Sequence, residues 1–387
     1  MIVAACSGCA TVKMPNVTEN GYALQDDERR LMKRSDEFAE ILESSGHIYK
    51  DEKLEAYLND IAQGLLADYP KIDTVNITVK VIRDPYFNAV SLPNGRVYVH
   101  TGILAVIENE AQLATLLAHE MTHVLNRHAF KQFRSMINKS AFMSWAGITA
   151  SVAVGDLANI FIQGAVISSV YGFSQTLEYE ADESGFRMLV DQGYDVRESQ
   201  KLFEHLQDSI KEEDVKQPFF FSTHPKVASR VKKYAEMVSE LTQEQWGTEV
   251  NTSEYQTVIK DIILENARLA LEQGIFKVAE RNINTYIASY PQDYRGFYYK
   301  GELYRQRQDA RKGKKKREKT EDYKLSLQAF DQAINLSPKY ALAYKGKGRV
   351  LQKQNQQEDA RQIYRQYLEL NPEAEDKSYI EQFLKGE

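Results

Sequence analysis

Apolar residues recur at three- and four-residue spacing through most of the chain and at two-residue spacing through one short stretch. That pattern predicts a mainly α-helical protein with a small β-sheet. Leu31, Phe38, Ile41 and Leu42 mark a first helix; Leu54, Tyr57, Leu58, Ile61, Leu65 and Leu66 mark a second, ended by Pro70. Val75, Ile77, Val79 and Val81 then alternate with polar residues, as in a half-buried strand. Pro93, Asn94 and Gly95 form a turn signal between two further short strands. Helical spacing resumes with Leu113, Leu116, Leu117, Ala118 and Leu125, and neither Gly nor Pro interrupts residues 108–133. Residues 171–186 read as another helix. Between them, residues 141–173 are apolar and rich in small residues. No uninterrupted part reaches the roughly 20 residues of a membrane span, so a buried helical pair or a flap over a cleft is expected, with a membrane-dipping segment as the alternative.

From about residue 255 the pattern becomes repetitive. Tyr344, Gly348, Leu351, Ala360, Tyr364, Tyr367 and Pro372 fall at the signature positions of a tetratricopeptide repeat, and Pro338 precedes Pro372 by 34 residues, the period of that repeat. An earlier unit carries Phe297, Gly301, Tyr304, Phe330, Ala333 and Pro338 around an insert. A weaker first unit runs through Ile263, Ala267, Ala279 and Ile283 to Pro291. Three helix pairs and a closing helix near residues 378–384 predict a short α-helical solenoid, whose concave face suits a peptide or protein partner. The insert holds a basic run, residues 305–319, with nine cations against Asp309 and Glu318. It reads as a solvated loop, with contact to anionic lipid as the functional alternative.

Composition adds exclusions. A net charge of −6 gives no case for nucleic acid binding, and the two cysteines, Cys6 and Cys9, leave the rest of the chain without thiols for a disulfide framework or a thiolate metal site. The opening residues, MIVAACSGCATVKMP, read as the end of a lipoprotein signal whose basic and apolar parts are missing. The organisation expected is therefore a partial signal or anchor over residues 1–20, a first domain over 21–245 and the repeats over 255–387.

The candidate chemistry lies at residues 119–123, which read H-E-M-T-H. Residues four apart on a helix share a face, so the imidazoles of His119 and His123 can bind one metal ion, and Glu120 can turn toward a metal-bound water as a general base. By itself the pentad also fits a helix that happens to carry two histidines. Glu178 and Asp182 are likewise four apart, a spacing that suits one carboxylate on the metal and another holding a ligating His through its second ring nitrogen. Glu180 and Glu183 then face elsewhere and read as solvated charges. The metzincin spacing would put a third His at position 129, which is Ala129; His128 falls on a different helical face from His123 and reads as structural.

H-E-x-x-H followed by E-x-x-x-D resembles the gluzincin metallopeptidases of the CAAX-prenyl-protease, HtpX and Oma1 type, and most nearly their BepA-like envelope members, which carry a tetratricopeptide tail. The resemblance implies a zincin-like metallopeptidase domain with one Zn2+ per chain on His119, His123 and Glu178, with Glu120 as the catalytic base and Asp182 orienting a ligand. It implies that the strand around Asn88 and Ala89 borders the cleft and pairs with extended substrate; the alternative is a plain hairpin. The stretch Ser222-Thr223-His224-Pro225 resembles a loop motif of these proteins. His224, otherwise an exposed loop histidine, would then reach the zinc and hold the enzyme inactive; swung aside, it or Arg230 would stabilise the oxyanion. The implied function is hydrolysis of misfolded or misassembled envelope proteins in the periplasm, by a protein lipid-anchored to the outer membrane and bound to a partner through its repeats. The alternative is a chaperone or adaptor working through the repeats with little or no proteolysis. A prenyl-protein protease inside the membrane is disfavoured, because no segment is long enough to span.

Overall fold

A computed structural model describes residues 24–69, 75–137, 173–213, 227–311 and 318–386 of the protein. The signal-like start, residues 141–172, His224 and residues 312–317 of the basic run lie outside the described residues.

Two helices lead, α1 (Asp26–Ser44) and α2 (Glu52–Leu65). Asp51 caps α2, its carboxylate accepting from the N–H groups of Lys53 and Leu54. The buried stripe of α1 runs from Leu31 through Phe38 and Ala39 to Leu42, so Ile41, expected in the core, falls on its margin and is 41% exposed. Between the helices lies β1 (Ile48–Tyr49), too short to leave a periodic signal. It opens a four-stranded sheet with β2 (Thr78–Ile82), β3 (Ala89–Ser91) and β4 (Arg96–His100), in the order β1-β2-β4-β3. β2 and β4 are parallel and the other neighbours antiparallel. The β3–β4 turn needs Gly95, whose φ is 94° and whose missing Cβ would collide with the Asn76 carbonyl.

Alternation along the strands divides the side chains between two faces. Val79, Val81, Ala89, Val97 and Val99 enter the main core, while Ile82, Val90 and Tyr98 pack on Phe38 and Leu42 of α1. The sheet is thus covered on both sides. After the short α3 (Thr101–Leu104) comes α4 (Glu110–Leu125), which carries H-E-x-x-H. Asn109 caps α4, its side-chain oxygen accepting from Gln112 N–H at 3.0 Å. Every residue of α4 is buried, so it is a central rod rather than a surface helix with one apolar face. Around it stand α2, the sheet, α6 (Gln175–Asp191) and α7 (Arg197–Glu213).

The uninterrupted pattern through residue 133 predicts one long helix, but the chain breaks after Leu125. Arg127 adopts a left-handed conformation (φ 58°), and α5 (His128–Ile137) starts in a new direction. That conformation is costly for a residue with a Cβ. An ion pair between Arg127 and Glu28 of α1, both buried, holds it in place.

α8 (Val227–Ser239) and α9 (Thr252–Val258) lead to three helix pairs: α10 (Lys260–Glu272) with α11 (Phe276–Ser289), α12 (Tyr294–Ala310) with α13 (Glu318–Leu336), and α14 (Ala341–Lys353) with α15 (Gln357–Leu370). α16 (Lys377–Lys385) closes the stack, as the 34-residue period predicts. The ends of the basic run lengthen α12 and α13 rather than forming a loop. The three arginines at the α12 end are engaged within the repeats: Arg305 with Glu302 and Asp309, Arg307 with Glu280 and Asp322, and Arg311 with Asp322. The main core runs from Leu54 of α2 to Tyr286 of α11 and therefore joins the first unit to the first repeat. Polar contacts follow the same seam: Tyr255 donates to the Leu104 carbonyl at 2.8 Å, and Thr101 meets Asn266 at 2.9 Å. Among the described residues no helix is long and apolar enough to cross a membrane.

Candidate metal centre

The centre forms where α6 crosses α4. Gly185 lets the helices touch, since a Cβ there would lie only 3.1 Å from the Ala118 carbonyl carbon and the His119 nitrogen. Glu178 and Asp182, earlier on α6, are thereby laid against His119 and His123. Ser174 starts α6 by accepting from Leu177 N–H.

His119, His123 and Glu178 bring one donor atom each to a common point, all within 4.8 Å of one another and all buried. The Nε2 atoms of His119 and His123 are 3.1 Å apart; Glu178 oxygens lie 3.6 Å from His119 Nε2 and 3.5 Å from His123 Nε2. Tetrahedral Zn2+ with bonds near 2.0–2.1 Å separates its donors by about 3.3 Å, so these three fit it. Two imidazoles and one carboxylate, with no thiolate, are also the donor set of a catalytic rather than a structural zinc site.

The two histidines are held in different ways. His119 Nδ1 is 2.9 Å from Asp182 Oδ1. Asp182 also accepts from Arg230 Nε at 3.1 Å, from Arg230 Nη2 at 2.5 Å and from the Tyr234 hydroxyl at 3.1 Å. Burial would raise the Asp182 carboxyl, but Arg230 and His119 beside it hold it well below the usual carboxylate range. Burial pushes the Tyr234 hydroxyl well up, so it remains a proton donor. His123 Nδ1 instead meets His128 Nδ1 at 2.8 Å. His128 is fully buried, and burial lowers its pKa, so it is neutral at neutral pH. Its Nε2 lies 3.5 Å from Glu180 Oε1, and Glu180 accepts from Lys131 at 2.9 Å and Asn126 at 3.0 Å. Contact with His128 and Lys131 holds the Glu180 carboxyl down to about 2. Phe173 stacks on the His123 ring, 3.9 Å away and 12° from parallel.

Glu120 follows His119 directly on α4, and its Oε2 accepts from Ser91 Oγ at 2.9 Å. Ser91 is on β3, the edge strand. His100 N–H bonds the Asn88 carbonyl and Leu92 N–H the Arg96 carbonyl. By antiparallel alternation the backbone groups of Ala89 and Ser91 then point away from β4, toward the side where β3 has no strand neighbour among the described residues. Asn88, expected on that edge, spends its carbonyl inside the sheet. Arg230 stands on the Nδ1 side of His119, engaged with Asp182; its Nη1 is buried without a hydrogen-bond partner among the described residues. Glu183 is near the surface and pairs with Lys233, as expected, whereas Glu180 is anchored to α4 and α5 rather than merely solvated.

Sequence reasoning missed three of these residues. Tyr234 was within reach, being four residues from Arg230 on α8. Ser91 is visible only once β3 is laid on α4. His128 was set aside as structural on helical geometry, and the left-handed Arg127 removes that premise.

Residues 49–238 match peptidase family M48, and residues 264–311 and 317–375 match the tetratricopeptide repeat. The mitochondrial metalloendopeptidase OMA1 of Schizosaccharomyces pombe is 32% identical over 162 residues, 41% of this chain and 46% of that protein. The beta-barrel assembly-enhancing protease of Escherichia coli K12 is 26% identical over 207 residues, 52% of this chain and 42% of that protein. A putative protease of the same name in Vibrio cholerae is 25% identical over 227 residues, 57% of this chain and 46% of that protein. The chain spans under half the length of these curated relatives.

Proposed function

We propose, from the premise that the chain carries a peptidase family M48 domain followed by tetratricopeptide repeats, that it is a zinc-dependent metalloendopeptidase of envelope protein quality control. In this reading residues 21–245 are the catalytic unit and residues 255–387 the unit that engages a protein partner. One observation carries the reading. His119, His123 and Glu178 converge on a single point, while Glu120, next to His119 on the same helix, lies outside that donor group and accepts a hydrogen bond from Ser91.

Held by those three residues, Zn2+ supplies a Lewis acid that polarises the scissile carbonyl and acidifies the attacking water. Glu120 takes the proton of that water and returns it to the departing amine. Ser91 steadies the Glu120 carboxylate through its hydroxyl. The outward backbone groups of Ala89 and Ser91 accept an extended substrate by strand addition, which lays the peptide alongside Glu120. Asp182 accepts the His119 Nδ1 proton and so leaves Nε2 unprotonated for the metal. Arg230 serves mainly as the counter-ion of Asp182, with Nη1 the donor it has left for an oxyanion. His224 is the proposed regulatory residue, on a segment outside the described residues.

The names of the relatives support protein substrates and, for the bacterial ones, a place in the envelope. The finer reading is of misfolded or misassembled envelope proteins as substrates. It places the protein in the periplasm, lipid-anchored to the outer membrane through Cys6 or Cys9, with the basic run near anionic lipid.

The test uses unfolded casein as substrate. Zinc-loaded protein is expected to cleave it, and a chelator to stop it. Glu120→Gln is expected to retain one zinc per chain by atomic absorption while kcat falls about 10²–10⁴-fold. Equal cleavage by the variant removes the mechanism. Suppressed casein aggregation without cleavage would favour the adaptor reading.

A further inference from the structure

Two imidazole nitrogens 2.8 Å apart share one proton, because one must donate and the other accept. Between His123 Nδ1 and His128 Nδ1, only one assignment is compatible with a metal site. If His128 donated, the proton of neutral His123 would sit on Nε2, the atom that faces His119 Nε2 at 3.1 Å and Glu178 Oε1 at 3.5 Å. That nitrogen would then have no lone pair for a metal. If His123 donates, its Nε2 is a lone-pair donor, and neutral His128 carries its own proton on Nε2, toward Glu180 Oε1 at 3.5 Å. Lys131 and Asn126 fix Glu180 in that position.

We propose that His128 is a positioning residue for the second metal-binding imidazole, accepting the Nδ1 proton of His123 and thereby fixing both its tautomer and its ring orientation. It does for His123 what Asp182 does for His119, without a charge. The left-handed Arg127 makes this possible by turning α5 back so that its first residue packs on the last turn of α4. Phe173, stacked on the face of the His123 ring while His128 meets its edge, helps to hold the ring plane. The proposal rests on the metallopeptidase reading, and the experiment separates the two.

Zinc affinity is measured by competition with a chromophoric chelator, in a Glu120→Gln background so that self-cleavage plays no part. His128→Leu is expected to weaken zinc binding about 10–100-fold. His128→Gln, which restores an acceptor oxygen, should recover most of that loss. The urea midpoint of the metal-free protein should barely differ among the three, because the role is exercised on the loaded site. Unchanged affinity in His128→Leu, or an equal loss with Gln and Leu, overturns the proposal. Failure of the parent protein to bind zinc at all overturns the metallopeptidase reading instead. Should the Leu variant not fold, ¹⁵N-histidine spectra of the zinc-loaded parent decide. His128 must be protonated on Nε2, and protonation on its Nδ1 would sink the proposal.

Discussion

The two histidines of α4 do the same job from adjacent turns, yet the protein supports them in opposite styles. Behind His119 is a charged cluster sealed from water: Asp182, Arg230 and Tyr234 are 0%, 2% and 1% exposed. Behind His123 is a neutral imidazole whose own partner, Glu180, reaches the surface. The difference follows from charge accounting inside a low-dielectric core. Glu178, Glu120 and Asp182 are already three buried carboxylates on α4 and α6, and Asp182 is compensated by a buried arginine. A second carboxylate behind His123 would need a second buried cation, at several kcal/mol of desolvation per ion. A neutral acceptor orients the ring and avoids that cost.

This contrast can be broken from the charged side first. Asp182→Ala leaves Arg230 buried without its counter-ion, so urea denaturation of the metal-free protein is expected to show a loss of about 3–5 kcal/mol. A loss under 1 kcal/mol would mean that the cluster is not sealed. Joining Asp182→Leu to Arg230→Met should recover most of that loss, since the penalty comes from the orphaned charge and not from the missing contact. Removing the Tyr234 hydroxyl is a smaller step. Tyr234→Phe deletes one hydrogen bond to Asp182 and should cost about 1–2 kcal/mol by the same assay. Smallest of all is Glu180→Gln on the other side. Its carboxylate is 38% exposed, and the change should stay within about 1 kcal/mol while zinc affinity moves less than in His128→Leu. A Glu180 variant as damaging as Asp182→Ala would erase the distinction between the two supports.

Much of the site could be read from the chain because its spacing obeys helix geometry. His119 and His123, and again Glu178 and Asp182, are one turn apart on helices that formed where the periodicity predicts. What escaped depends on departures from regular structure or on contacts between distant segments. His128 needs one residue with positive φ, and an arginine at that position gives no hint of it. β1 is only two residues long, and Ser91 acquires its meaning from a hairpin pressed on a helix distant in sequence. The repeats were legible for the opposite reason. Each pair packs mainly on its neighbours, so a local period carries nearly all the information.

The seam along Thr101, Leu104, Tyr255 and Asn266 has a consequence for anyone who would take the protein apart. A cut between the first unit and the repeats strands Tyr255, Ile259, Ile262 and Ile263, which are 0–5% exposed in the intact chain, as a raw apolar surface on one fragment and leaves its imprint on the other. The first repeat is in that sense a wall of the first unit. Scissors that respect the motif boundary would still cut through the building.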